Sequence, residues 1–167
     1  MQEVSYQYDY IIFDLGAGIQ KQHLYFALSA HDNIIVTTTE PTSLTDAYAV
    51  VKHLMKEQPH IQLYVLINRA MSEMDGKETF ERLHKVVKRF LQQDVSALGV
   101  LLDDRSVVEA VKAQTPFLLK NERSMISRNL NYIIDKYLNH GGTGSKRENH
   151  SFVTKLKMMF SKKGRLR

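Results

Sequence analysis

Tyr8-Asp-Tyr-Ile-Ile-Phe-Asp-Leu-Gly-Ala-Gly18 is the stretch on which the prediction of the fold depends. Its apolar run, residues 10–13, is typical of a buried strand, and Asp14 follows it directly. Gly16 and Gly18 come within four positions of that carboxylate. In open α/β sheets, a strand that ends in a polar residue and a tight turn commonly forms part of a ligand site. The same residues also suit an ordinary strand whose Asp14 caps the next turn, so the rest of the chain has to decide.

Strand and helix patterns alternate along the remaining sequence. Three further β-prone runs predict strands over residues 33–39, 61–68 and 95–102. Apolar spacing of 3.6 residues predicts helices over residues 19–31, 43–58, 79–91, 105–113 and 124–138. A capping-box pattern at Ser43 marks the start of one helix, Gly76 is predicted in a loop, and residues 115–119 are predicted to be extended. This order predicts an α/β fold, with a parallel sheet and helices on both of its faces.

Polar residues follow each predicted strand. They are Asp14, Thr37 to Glu40, Asn68 with Arg69, and Asp103. Because the carboxyl ends of parallel strands meet at one edge of a sheet, these residues are expected to lie along that edge, where such folds bind ligands. Every α/β domain has polar strand ends, so a structural sheet with solvated loops is the alternative interpretation.

The composition is that of a soluble globular domain. The chain has 167 residues, 43% of them hydrophobic and 25% charged, which suffices for one domain with its own core. It has no cysteine, which excludes disulfides and thiolate metal sites, and its seven histidines show no ligand spacing. No apolar run reaches the roughly 20 residues that a membrane-spanning helix needs. The first ten residues carry two acids and no base, unlike a signal peptide, so a cytoplasmic location is expected.

The positive charge is concentrated at the C-terminal end. Residues 146–167 hold eight of the 23 basic residues and one acid, whereas residues 1–145 carry 15 bases and 17 acids. The body is therefore not a basic surface for nucleic acid, and the tail is expected to have a partner of its own. Residues 139–150 are rich in glycine and polar residues, which predicts a flexible linker between a domain over residues 1–138 and a tail over residues 151–167.

The tail has the pattern of a short basic amphipathic helix. On a helical wheel, five apolar residues share about a third of the circumference. These are Phe152, Val153, Leu156, Met159 and Phe160. Lysines lie outside that face or beyond it, at Lys155, Lys157, Lys162 and Lys163. The pattern favours an interfacial anchor on an anionic membrane surface. A helix docked on its own domain, a partner-binding helix and a nucleic-acid tail are the alternatives, and the apolar face argues against nucleic acid.

Several stretches together resemble one family. Ile11 to Ile19 is similar to the second nucleotide motif of the deviant-Walker P-loop ATPases of the MinD/ParA class. Val36 to Tyr48 and Leu98 to Val107 resemble later strands and loops of that class, and Asn68 stands where the class places its adenine-contacting Asn. The resemblance covers residues 6–138. The stretch from Thr39 to Tyr48 looks most like the FlhG (YlxH) branch, whose members regulate flagellar placement and number.

The resemblance implies roles for individual residues. Members of the class dimerise around ATP and Mg²⁺, and ATP binding promotes membrane attachment. Asp14 would orient the hydrolytic water or the Mg²⁺ ligands, and Gly16 and Gly18 would line the γ-phosphate. Asn68 and Arg69 would hold adenine, with Asp103 in the same nucleotide site. The partners implied are the GTPase FlhF, the flagellar switch or C-ring proteins and a second copy of the chain, with no nucleic acid.

The sequence departs from the family in its phosphate loop. No Gly-x-x-x-x-Gly-Lys-[Ser/Thr] motif is present, and the nearest candidate, Gly141 to Lys146, lies in the predicted linker. Leu102 also stands where the family usually has Pro. The chain is therefore expected to be the C-terminal part of an FlhG-like ATPase, with weak or no ATP binding and no hydrolysis alone. Two alternatives remain: a non-catalytic, membrane-associated interaction module that binds a flagellar or division partner, or a product with an exposed apolar edge that does not fold stably.

Overall fold

The computed structural model describes residues 8–16, 18, 20–140 and 156 of the chain. Its strands are β1 (Asn33–Thr37), β2 (Leu63–Ala70) and β3 (Ser96–Leu102). Its helices are α1 (Lys21–Ser29), α2 (Pro41–Glu57), α3 (Glu73–Leu91), α4 (Arg105–Lys112), α5 (Phe117–Lys120) and α6 (Met125–His140). The predicted alternation of strands and helices is thereby confirmed from β1 to α6.

The three strands form a parallel sheet in the order β1-β2-β3. β1 pairs with β2 from Asn33 opposite Leu63 to Thr37 opposite Ile67. β2 pairs with β3 with two register shifts, the second of them between Ile67 and Ala70. Because the strands are parallel, all of their carboxyl ends lie at the same edge, as the sequence predicts.

The larger core lies between the sheet and helices α1, α2 and α3. Side chains alternate along a strand, and Leu63, Val65 and Ile67 of β2 all point into this core. Leu54 of α2 and Leu83 of α3 meet them there, each almost fully buried. Their helices present these residues at the 3.6-residue spacing of one apolar face. β2 is thus the strand around which most of the buried surface is organised.

The smaller core lies on the opposite face of the sheet, under α6. Ile126 and Ile133 of α6 pack with Leu101 of β3, and Leu66 of β2 contributes from its other face. A Cβ added to Gly99 would lie 2.6 Å from Cδ1 of Ile133, so glycine lets α6 lie close against β3. The expected helices on both faces are confirmed, with fewer buried residues on this second face.

The predicted strand at residues 10–13 is wrong. The segment has no regular secondary structure and pairs with none of the described strands, and the side chain of Ile12 is 89% exposed. Phe13 packs against Phe26 of α1 with ring centroids 5.5 Å apart, and Leu15 contacts the larger core. A strand forms only when a neighbour pairs with its backbone groups, and hydrophobic periodicity does not reveal whether that neighbour exists.

Three local predictions are also wrong. Gly76 lies inside α3, which begins six residues before the predicted start at residue 79, because the side chain of Ser72 accepts a hydrogen bond from the N–H of Asp75 and caps it. The α2 helix begins at Pro41 rather than at Ser43, since proline suits the first helical position. Residues 117–120 form the short helix α5 instead of an extended segment.

Gly76→Ala is expected to lower the free energy of unfolding by about 1–2 kcal/mol, since overpacking outweighs the helix propensity of alanine. The added Cβ would lie 2.7 Å from Cγ2 of Val100 and nearer still to its Cγ1. Urea denaturation followed by circular dichroism measures the loss. The double variant with Val100→Ala should lose less stability than the sum of the two single losses. Strict additivity would contradict a collision between the added Cβ and Val100.

Among the residues that the structure describes, no helix is long and apolar enough to cross a membrane.

Candidate functional site

The candidate site lies at the carboxyl edge of the sheet. β1 ends at Thr37, β2 carries Asn68 and Arg69 just before its last residue, and Asp103 follows β3. The structure brings these three strand ends to one edge, which confirms the placement of Thr37, Asn68, Arg69 and Asp103 predicted from the alternating pattern.

Arg69 and Asp103 form the centre of the site. The Nε of Arg69 lies 3.3 Å from Oδ1 of Asp103, and the two side chains are 66% and 48% exposed. The backbone N–H of Asp103 donates to the carbonyl oxygen of Ala70 at 2.9 Å, which fixes the loop after β3 against the end of β2. An exposed ion pair of this kind stabilises the fold by no more than about 1 kcal/mol, so its geometry is more informative than its energy.

The backbone at Arg69 is unusual. Its φ is +56°, in the left-handed region that side chains other than glycine seldom adopt, and it coincides with the second register shift between β2 and β3. The side-chain oxygen of Asn68 accepts a hydrogen bond from the Arg69 N–H at 3.0 Å. This bond satisfies the Arg69 N–H, which lies outside the hydrogen-bond ladder between β2 and β3. The side-chain NH₂ of Asn68 remains available to donate to a ligand.

Asp104 holds the loop after β3 in place. Its Oδ1 accepts a hydrogen bond from the N–H of Ser106 at 2.8 Å and caps α4. Hydrogen bonding from Ser106 lowers the pKa of the Asp104 carboxyl below its usual value. An Asp directly before a helical apolar pattern could have predicted this cap from sequence. The cap explains why Asp103 and not Asp104 faces Arg69.

Ser43 connects the end of β1 to the first turn of α2. Its Oγ lies 2.9 Å from Oγ1 of Thr37 and accepts the N–H of Thr38 at 3.1 Å. The predicted capping box at Ser43 is therefore replaced by a link between strand and helix. The side chain of Glu40, the residue before α2, makes no cap hydrogen bond. Ser43 was not predicted to lie at the sheet edge, and its spacing of six residues from Thr37 gave no signal for it.

Asp14, Gly16 and Gly18 lie on the segment that leads into α1 rather than at the end of a strand. Asp14 is exposed, and within the described residues no hydrogen bond or ion pair joins it to Arg69 or Asp103. Gly18 has a φ of +91°, a conformation that favours glycine, and a Cβ placed there would meet open space. A Cβ on Gly16 would lie 3.9 Å from the His23 ring. The predicted strand-end position of Asp14 is wrong because the strand itself does not form.

The predicted membrane face is described at one position only, Leu156, which is helical and half-buried. The other residues of that prediction lie outside the described part of the chain. They are Phe152, Val153, Lys155, Lys157, Met159, Phe160, Lys162 and Lys163.

The donor set at the sheet edge suits recognition rather than metal binding. In residues 8–140, apart from the undescribed positions 17 and 19, no group of three or more His, Asp or Glu side chains is placed to hold a metal ion. The Asn68 amide both donates and accepts hydrogen bonds, and the guanidinium of Arg69 offers a planar surface with further donors. Such groups can read the edge and face of a planar heterocycle.

No protein-family model matches this sequence, but several known proteins are similar to it. It is 37% identical over 112 residues to the antiactivator FleN of Pseudomonas aeruginosa, covering 67% of this chain and 40% of FleN. It is 39% identical over 80 residues to the flagellum site-determining protein YlxH of Helicobacter pylori, covering 48% of this chain and 26% of YlxH. With the septum site-determining protein MinD of Bacillus subtilis it shares 26% over 132 residues, 78% of this chain and 48% of MinD. The chain thus spans less than half the length of each of these relatives.

Proposed function

Since this chain belongs to the MinD/ParA class, we propose that it acts as an FlhG-like regulator of flagellar placement and number. The proposal rests on one observation, which is that the chain has a higher sequence identity to its flagellar relatives than to a relative that places the septum. FleN and the flagellum site-determining YlxH share 37% and 39% with the chain, whereas the septum site-determining MinD shares 26%. The parallel sheet with Arg69 and Asp103 at its carboxyl edge supports a nucleotide-dependent mode of action.

The sheet edge suits the base end of ATP. Asn68 retains side-chain donors after accepting the Arg69 N–H, and Nε of Arg69 pairs with Oδ1 of Asp103. In our proposal Asn68 and Arg69 hold adenine, and Asp103 positions Arg69. These residues fit a heterocycle because amide and guanidinium groups provide directed hydrogen bonds and a stacking plane.

The sequence given offers fewer groups that could bind the phosphates of ATP and its Mg²⁺. The sequence has no glycine-rich loop that ends in Lys-Ser or Lys-Thr and would cradle β- and γ-phosphates. In the proposal, Asp14 would act on Mg²⁺ indirectly, and Gly16 and Gly18 would line the γ-phosphate once a strand pairs with residues 10–13. When bound, ATP with Mg²⁺ supplies the charge and bulk on which dimerisation in this class depends.

Mg-ATP is expected to bind this chain with a Kd of about 1 mM or weaker, worth roughly 4 kcal/mol, because only base contacts contribute. Isothermal titration of the 167-residue chain measures the affinity, and Arg69→Ala should remove what remains. Arg105→Ala is the matched control, since that guanidinium pairs with Glu109 on the surface of α4. Micromolar binding by the unaltered chain, or equal losses in both variants, would contradict the proposed division between base and phosphate.

The proposed location is the cytoplasmic face of an anionic membrane, reached through residues 151–167. The partners proposed with it are the GTPase FlhF, flagellar C-ring proteins and a second copy of the chain. A second candidate function is a non-catalytic interaction module that binds a flagellar or division partner at the membrane. This candidate needs no phosphate-loop motif, and the sequence given contains none.

Deletion of the gene in the cells that encode it tests the function. Electron microscopy should show a changed number or position of flagella, with septa in their normal place. An allele with Arg69→Ala should reproduce the defect if nucleotide binding is required, and an interaction module should tolerate it. Misplaced septa with normal flagella would overturn the flagellar assignment.

A further inference from the structure

A short piece of β3, residues 99–100, is displaced by one residue along β2. In the first part of the sheet, Val65 lies opposite Ala97. Within the displaced piece, Ile67 lies opposite Val100, one residue further along β3 than the first pairs would place it. The first register returns at the end of both strands. The displacement is therefore local, and something has to hold this piece of β3 in place.

Asn68 and Arg69 form a bulge in β2 where the first register returns. Together they stand opposite a single residue of β3. Ile67 and Ala70 are both fully buried in the larger core although they are three residues apart, and regular alternation would have placed Arg69 there instead. The bulge thus turns Arg69 out of the core, where its Nε pairs with Asp103.

α6 contacts both residues of the displaced piece. A Cβ on Gly99 would lie 2.6 Å from Cδ1 of Ile133, so the helix lies close against the strand at this point. About one turn earlier in α6, Nδ2 of the half-buried Asn129 donates to the carbonyl oxygen of Val100 at 2.8 Å. The close approach of α6 and the displacement of β3 therefore occur at the same residues.

α6 is also anchored at its far end. The hydroxyl of Tyr137 donates to Oδ2 of Asp32 at 2.8 Å, just before β1, and its ring meets Tyr64 edge to face at 5.2 Å. Asn129 lies about two turns earlier in the helix. Because this anchor keeps α6 from following β3, the bond from Asn129 to Val100 resists sliding of the displaced piece.

The position of Val100 determines where β3 meets the candidate site. Its side chain fits against Gly76 of α3, so both faces of the sheet hold this residue. Only two residues separate it from Asp103, whose N–H donates to the carbonyl oxygen of Ala70 beyond the bulge. A shift of Val100 along β2 would therefore move Asp103 relative to Arg69.

We propose that Asn129 is a positioning residue of the site at the carboxyl edge, because its bond to Val100 keeps β3 in the displaced register that the β2 bulge requires. Without this donor, residues 99–100 can slide back by one position. The bulge would then move, and Arg69 would lose its alignment with Asp103. This role deepens the proposed function and rests on it only where nucleotide binding is concerned.

Amide hydrogen exchange in the full 167-residue chain, followed by NMR, tests this role. Asn129→Asp keeps the shape of the side chain but removes the donor, and its carboxylate repels the carbonyl oxygen of Val100. The amides of Arg69 and Asp103 each donate a hydrogen bond at the bulge. Both should exchange at least about five-fold faster in this variant, the effect of losing one hydrogen bond.

Asn131→Asp is the matched control, since it places the same charge on an exposed position of the same helix. Its exchange rates at Arg69 and Asp103 should equal those of the parent chain. The amide of Val65, in the middle of β2, is the internal reference. A general loss of stability would accelerate exchange at Val65 as well, whereas a loss of positioning leaves its rate unchanged.

Two outcomes would overturn the proposed role. Equal exchange in Asn129→Asp and Asn131→Asp would show that the bulge holds without the bond. Proportionate acceleration at Val65 would reduce the contribution of Asn129 to general stability. If Asn129→Asp does not fold, Gly99→Ala replaces it, because the added methyl group pushes α6 away from β3. It should accelerate the same two amides, and unchanged rates there would equally contradict the role.

Titration with Mg-ATP separates this role from the proposed function. In the parent chain ATP should shift the side-chain NH₂ signals of Asn68, and Asn129→Asp should weaken the binding about five-fold. No shift in the parent chain would contradict base binding, and the exchange rates would still decide the role of Asn129. Faster exchange at the bulge with unchanged ATP affinity would overturn positioning of the site and leave the proposed function intact.

Discussion

Ile67→Ala should lower the free energy of unfolding by about 3–4 kcal/mol, the largest loss expected from any single substitution considered for this chain. Ile67 is 0% exposed, lies on the central strand β2 and belongs to the larger core, to which α2 and α3 also contribute. Removing its side-chain carbons forfeits their burial and leaves a cavity that the close-packed neighbours cannot fill. Typical domains are stable by only about 5–15 kcal/mol, so this loss is a large share of the total.

Ile12→Ala is the matched control, with the same atoms removed from an isoleucine that is 89% exposed. We expect its effect to stay within about 0.5 kcal/mol. Urea titrations followed by circular dichroism measure both variants under identical conditions. A loss for Ile12→Ala as large as that for Ile67→Ala would mean that residues 10–13 are buried as a strand in solution, against the structure.

Removal of residues 151–167 should abolish sedimentation with anionic liposomes. Each lysine near such a surface contributes about 1 kcal/mol to the binding free energy, and burial of the apolar face contributes further. Affinity for the liposomes should therefore fall at least about 100-fold. Within the full chain, Leu156→Asp should give most of this loss, because a carboxylate then replaces the centre of the apolar face. Raising the salt concentration should weaken the binding of the unaltered chain.

Met158→Asp is the control for that substitution. It introduces the same charge on the opposite side of the predicted helix, since Met158 is about 160° from the centre of the apolar face on the wheel. It should therefore reduce binding much less than Leu156→Asp. Equal losses would assign the binding to net charge alone, and unchanged sedimentation after the deletion would refute the anchor.

The sequence predicted the layout of the sheet well because three of its strands are strongly β-prone and separated by helices long enough to cross back. It failed where the outcome depended on a pairing partner. Residues 10–13 look like a strand in composition, yet Ile12 is exposed because no described strand pairs with them. It also failed at α3, where Gly76 suggested a loop although the Ser72 cap was readable three residues before Asp75.

The candidate site was predictable in its place and not in its details. Polar residues after parallel strands had to meet at one edge, and Asn68, Arg69 and Asp103 do so. The left-handed backbone of Arg69 arises from a register shift that no local pattern encodes. The ion pair joins residues 34 positions apart, and neither local sequence carries a signal for it. The proposed roles of these residues in nucleotide binding stay predictions.

The hydrogen bond between Tyr137 and Asp32 has a consequence for the order in which the protein is made. The two residues are 105 positions apart, so the bond cannot form until almost the whole described chain has been synthesised. The larger core needs nothing beyond β3 and can assemble earlier, as N-terminal parts generally do during translation. One face of the sheet therefore stays uncovered on the growing chain until α6 leaves the ribosome.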